Sequence, residues 1–159
     1  MDPGPGFSWT PSPERTAPTE RCAWRGRVMQ GEVHDENCWA LQGSGHAGLF
    51  GTADAILDVA AILLQRPADH PIRQRLHATR THGWEARADG WSGGDAASDM
   101  TIGHTGFTGA GLWIDYARGQ AWTLLTNRVH PTRHADSGIF ELRPATGDAV
   151  IAAWDARKE

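Results

Sequence analysis

One stretch limits the possible folds more than any other: residues 101–132, T-I-G-H-T-G-F-T-G-A-G-L-W-I-D-Y-A-R-G-Q-A-W-T-L-L-T-N-R-V-H-P-T. Residues 110–115 and 120–127 are rich in β-branched, aromatic and aliphatic side chains, the types that fit a pleated, half-buried surface. Between them, Asp115 to Gly119 supplies a turn, and Gly119 suits a positive φ at a tight reversal. Side chains alternate along a strand. Leu112 and Ile114 therefore face one way and Trp113 the other, while Trp122 and Leu124 share a face with Leu125 opposite. Apolar residues on both faces predict a sheet covered on both sides, rather than a hairpin with one wet face.

The rest reads as cover and connection. Residues 1–20 hold most of the nine prolines. They predict an extended lead-in without regular structure, with Phe7 and Trp9 tucked against a body formed by residues 21–159. Residues 21–51 alternate Gly with polar clusters, the kind of long irregular chain that compact domains keep for function. Thr52 predicts a helix N-cap, with Asp54 in the first turn and Pro67 as the stop. Ile56, Val59, Ala60, Leu63 and Leu64 keep helical spacing, and Leu57, Ala61 and Ile62 widen the stripe, which predicts a deeply packed helix. Residues 68–80 read as a linker and a short helix with a basic outer face, 81–87 as a strand and 88–100 as a loop. Pro144 predicts the first position of a last helix, with Val150, Ile151 and Trp154 facing inward.

Charge and composition remove several function classes. The net charge is −4, whereas a nucleic-acid surface needs a basic stripe. No window of about 18 apolar residues exists, so no membrane span is expected. No signal-peptide pattern is legible at the start. Cys22 and Cys38 lack a C-x-x-C spacing and read as inert thiols. Eight histidines raise the question of a metal, from His34-Asp35-Glu36 with His46, or from His130 with His134. No H-E-x-x-H is present, and Pro131 interrupts the second pair. No metal or cofactor is expected.

Two segments carry a resemblance. His104-Thr105-Gly106, followed by F-T-G, a hairpin and L-L-T-N, resembles the third motif of the serine β-lactamase and penicillin-binding-protein superfamily, in its class C-like and esterase branch. The run G-E-V-H-D-E-N-C-W-A-L-Q-G-S-G-H-A-G-L-F-G is similar to a loop of one bacterial branch, with Cys38 for Ala, Gln42 for Gly and Gly51 for Ser. The resemblance implies an α/β (α+β) fold, part of a β-lactamase/transpeptidase-like domain: an antiparallel sheet flanked by helices. It also implies acyl-enzyme chemistry on a small acyl substrate such as a β-lactam, peptide or ester.

In that family the nucleophile is the serine of S-x-x-K, with the lysine one helical turn later and the tyrosine of Y-x-N sharing the base work, so the resemblance implies three such residues close together. The single lysine is Lys158 and the single tyrosine is Tyr116. Asp155 stands three before the lysine, so no S-x-x-K exists; Ala117-Arg118 follow the tyrosine, so no Y-x-N exists. The expectation is a C-terminal portion of a longer serine hydrolase, silent alone. It would be marginally stable, self-associating or dependent on an upstream polypeptide. By resemblance, Thr105 would hydrogen-bond the substrate and the Phe107 N–H, just after Gly106, would serve as oxyanion donor; the plainer alternative is that H-T-G is only a strand entry, with Gly106 there for close packing. His104 would add a positive charge only when protonated, and Asn127 would contact substrate. His34, Asp35, Asn37 and His46 would brace the long loop.

Two other readings remain open. One is a non-catalytic remnant or binding module of the same fold. The other is an independent hydrolase using Ser92, within Gly90-Trp91-Ser92-Gly93-Gly94, with Asp115 and His130 downstream. That pattern has meaning only between a strand and a helix. A solvated loop is expected there instead.

Overall fold

The computed structural model describes residues 3–74 and 80–158. In chain order its elements are β1 (Phe7–Ser8), β2 (Arg21–Cys22), β3 (Arg27–Val28), α1 (Glu36–Ala40), β4 (Phe50–Gly51), α2 (Ala53–Leu64), β5 (Arg80–Thr81), β6 (Trp84–Ala86), β7 (Thr101–Thr105), β8 (Gly111–Asp115), β9 (Gln120–Leu124) and α3 (Ile139–Asp155). Strands β5 to β9 form one antiparallel meander in sequence order. The expected hairpin is its far end, with Trp113 opposite Trp122 and Gly119 at φ 67 in the turn.

Strand alternation splits the core as expected. On one face Ile102, Ile114 and Tyr116 pack with Ala60 of α2, joined by Leu63, Leu64 and Leu112. On the other, Trp113 and Trp122 pack with Trp91, Ala97 and Ile151 of α3. The two hairpin indoles stack with centroids 6.0 Å apart. A Cβ at Gly103 or Gly111 would overlap the Trp113 ring, so these glycines form the shelf on which that ring lies. The hairpin tip is secured by Asp115, which is fully buried. It accepts from the Ser98 hydroxyl at 2.6 Å, from the Ala117 and Arg118 amides at 3.0 and 3.1 Å, and from Arg118 Nη1 at 3.0 Å. Burial pushes its carboxyl up, but these donors outweigh burial and hold it below the usual range.

Several expectations need correction. The last helix begins at Ile139, and Pro144 lies inside it. Ile139 and Arg143 are the buried members of its first turns, so tertiary anchoring overrides the preference of proline for the first position. Residues 81–87 are not one strand: β5 and β6 form a tiny hairpin, reversed at His82 and Gly83 with φ 43 and 88. Helix α2 is capped by the Thr52 side chain as expected. It is not deeply packed, however: Leu57 and Ile62 are 36% and 53% exposed, and Val59 is also exposed. The lead-in does form regular structure, since β1 pairs with β4 and the Phe7 ring lies over Gly51; Trp9 stays exposed. Residues 71–73 make a single 3₁₀ turn, and the rest of the expected short helix, at 75–79, lies outside the described residues.

Candidate active site

A cavity of about 500 Å³ opens between the Gly106–Ala110 turn, the loop at residues 32–36, the segment 46–50, Thr19 and Arg133. Its back wall follows from the end of β7. The Gly106 N–H donates to Ala110 O at 2.8 Å, and the Gly109 N–H donates to Gly106 O at 3.1 Å, closing a tight turn. Behind that turn Arg143 of α3 is buried. Its Nη2 donates to Gly106 O at 2.8 Å and to Ala110 O at 3.0 Å. Arg128 Nε donates to Phe107 O at 2.7 Å. The carbonyl of Gly106 and the N–H of Phe107 belong to one planar trans peptide and point opposite ways. Pulling the carbonyl toward Arg143 therefore aims the Phe107 N–H away from α3. That N–H has no acceptor among the described residues.

The opposite wall is a charged knot. Glu20, 6% exposed, accepts from the Arg133 amide at 2.9 Å and from Arg133 Nε at 2.6 Å. Arg133 Nη2 also reaches Glu36 at 2.6 Å. His34 Nε2 lies 3.1 Å from Glu20 and 3.4 Å from Arg133 Nη2. Arginine can only donate, and a carboxylate can only accept, so one Nε2 cannot serve both. The shorter contact to the carboxylate assigns the proton to Nε2. The Arg133 hydrogen bonds outweigh burial and draw the Glu20 carboxyl down to about 2. The Phe107 ring closes the gap between the walls, stacked on His34 with centroids 5.6 Å apart and flanked by the guanidiniums of Arg128 and Arg133.

The long loop is braced largely as expected. Asp35 caps α1 by accepting from the Cys38 amide at 2.7 Å, and accepts from His46 Nε2 at 3.0 Å. Asn37 joins through its backbone, its carbonyl accepting from the Leu41 N–H. Of the residues singled out from the motif, Gly106 and Phe107 line the cavity and His104 and Thr105 do not. His104 is exposed, opposite Leu112 on the α2 side; Thr105 is half-buried, opposite Gly111. Neither side chain has a hydrogen-bond partner among the described residues. Asn127 donates to Pro18 O at 3.1 Å and holds the lead-in.

Sequence reasoning missed Glu20, Arg133 and Arg143. No local pattern marks them, since Glu20 and Arg133 are 113 positions apart. Ser92 stands elsewhere, in a loop whose neighbours Trp91 and Gly93 are buried rather than solvated. Its hydroxyl donates to Glu85 at 3.3 Å and accepts from Trp113 Nε1 at 3.2 Å. No strand-turn-helix surrounds it. Among the described residues no three His, Cys, Asp or Glu side chains gather as a metal cage.

The β-lactamase family profile matches residues 3–145. This chain belongs to the β-lactamase family. A curated relative, an N-acetylmuramyl-L-alanine amidase of Bacillus subtilis, is 35% identical over 124 residues, covering 67% of this chain and 28% of the relative. A putative D-alanyl-D-alanine carboxypeptidase of Salmonella agona is 32% identical, covering 67% of this chain and 29% of the relative. A solved β-lactamase from Mycobacterium bovis superposes with a TM-score of 0.57 at 21% identity, covering 68% of this chain and 46% of that one. The structural likeness supports the β-lactamase-like fold. The β-lactamase-family chain spans under a third of the length of these curated relatives.

Proposed function

We propose that this chain forms the substrate-side wall of an acyl-transfer pocket, with the attacking serine supplied by a polypeptide segment outside these 159 residues. The observation that carries this reading is that Phe107 lines the cavity with its N–H lacking an acceptor among the described residues, its peptide held through the Gly106 carbonyl by Arg143. A serine alkoxide adding to an acyl carbonyl creates an oxyanion. A fixed N–H aimed at it contributes roughly 3 kcal/mol to the transition state. The names of the two curated relatives, amidase and carboxypeptidase, denote cleavage of a carbonyl–nitrogen bond, which fits such a donor. Thr105 and His104, which do not line this cavity, would meet a substrate only if it extended along β7 beyond the cavity. Asn127 would have to release Pro18 to reach a substrate. The uncovered apolar side chains of α2 support a further polypeptide, or a second copy, seated there.

A second reading, a binding module of the same fold, rests on the single lysine and single tyrosine, neither in a catalytic pattern. The two readings separate in one experiment. The purified chain is assayed on a chromogenic cephalosporin and on p-nitrophenyl acetate, alone and mixed with the part of the Bacillus subtilis amidase preceding the matched stretch. Acyl turnover should appear only in the mixture and disappear with Phe107→Pro, which deletes the N–H; thermal melting checks that the variant folds. Binding of acyl compounds without turnover in the mixture favours the module. Turnover by the pure chain alone overturns both.

A further inference from the structure

A second cavity of about 320 Å³ shares a wall with the first, since Glu32, Val33, Ala47 and Gly48 line both. Trp9, Thr10, Trp39 and Gln42 complete its mouth. Burial of an indole is favourable, and this chain sends Trp113 and Trp122 into the core. Trp9 and Trp39 instead stay 44% and 39% exposed beside an opening. Trp39 is also held still. Trp24 meets it edge-on at 5.2 Å, and the Arg25 guanidinium lies 4.9 Å from its ring. Arg25 in turn donates to the Val33 and His34 carbonyls at 3.0 and 3.3 Å, in the loop that walls the acyl cavity. The platform and the neighbouring site are therefore fixed by one side chain, and a preorganised aromatic surface loses little freedom on binding.

Gln42 is a separate observation. Helix α1 ends in a Schellman motif, with the Gly43 N–H on Cys38 O at 3.0 Å and the Gln42 N–H on Trp39 O at 3.1 Å. Its left-handed position is normally glycine. Here Gln42 occupies it at φ 58. A residue with a Cβ stands there against backbone preference, and Gln42 lines the cavity with its side-chain amide lacking a partner among the described residues.

We propose that this second cavity binds a hexopyranose ring, the sugar portion of the substrate whose acyl bond lies in the adjoining pocket. A pyranose offers a face of C–H bonds to indole and a rim of hydroxyls to polar groups. Thr10, Gln42 and Glu32 supply those groups. The Glu32 carboxylate is oriented by two Arg27 hydrogen bonds of 2.8 Å and keeps lone pairs for hydroxyl donors. A purely apolar occupant would leave the Thr10 and Gln42 side chains without partners, whereas the Glu32 carboxylate already accepts from Arg27. The volume sits at the low end for a small-molecule site and suits one ring. The inference rests on the acyl-transfer reading for what happens next door, but binding is measured without turnover.

The purified 159-residue chain is titrated by calorimetry and saturation-transfer NMR with N-acetylglucosamine, its β-1,4-linked dimer, and cyclohexanol as an apolar ring. The sugars should bind with Kd on the order of 1 mM, and cyclohexanol at least tenfold more weakly. Trp9→Ala and Gln42→Gly should each weaken sugar binding at least fivefold. Gln42→Gly should melt at or above the parent, because glycine fits the left-handed position, so its weaker binding would not be a folding defect. Sugars binding no better than cyclohexanol, or both variants binding like the parent, would overturn the site. Acyl turnover in the mixed assembly without sugar binding removes this site alone. Sugar binding without acyl turnover removes the neighbouring acyl reading alone.

Discussion

The sheet side and the loop side of this molecule are held by different forces. Around β8 and β9 the contacts are mainly apolar, with Trp113 on its glycine shelf and α2 and α3 on opposite faces. Around residues 19–50 the contacts are polar and distant in sequence: Glu20 to Arg133, Asn127 to Pro18, His130 to Thr19. Apolar burial is non-directional and tolerates pH. A buried ion pair is directional, and losing one partner strands the other. One region therefore supplies a scaffold and the other a wall whose shape depends on charge.

The largest effect should come from the scaffold. Trp113→Ala deletes a fully buried indole and should cost about 4 kcal/mol, enough to unfold a marginal domain, read as loss of the cooperative melt. A variant that melts within a few degrees of the parent would show that α3 does not depend on this ring. Next comes the wall. Folded Glu20 titrates near 2, against 4.5 for an unperturbed glutamate, so the folded state resists its protonation. That stabilisation is complete above about pH 4.5 and fades as pH falls toward 2. It amounts to something on the order of 2 kcal/mol after allowance for the coupled partners. Hydrogen exchange of residues 20–36 should quicken below pH 4 while the amides of Trp113 and Trp122 stay protected. Asp115 responds in the same direction at the hairpin tip, so that tip is left out of the comparison. Exchange rising together in both regions would mean that wall and scaffold open as one. The smallest effect is that of Ser92→Ala, which removes one acceptor from the Trp113 indole and should cost about 1 kcal/mol. A fluorophosphonate probe should label parent and variant equally, that is, not at all.

The same division explains what could be read from the chain. The hairpin and its two apolar faces were legible because alternation at 112–114 and 122–125 is local. The α2 cap was legible because Thr52 satisfies an amide three residues on. Pro144 misled because Ile139, which anchors the real first turn, is flanked by Phe140 at 75% exposure, so the apolar pattern there does not resemble a packed helix. Of the motif at His104–Phe107 only Gly106 and Phe107 line the cavity, and which groups face it depends on the turn at Ala110 and on Arg143. Glu20 and Arg133 carry no sequence signal, since their meeting is created by the path of the intervening chain.

Arg143 lies on the element added last in chain order, yet it sets the aim of an amide formed 36 positions earlier. Loss of α3 would uncover the tryptophan layer and leave the Gly106 carbonyl held by the Gly109 N–H alone. The aim of that amide is thus coupled to the docking of α3 against the sheet.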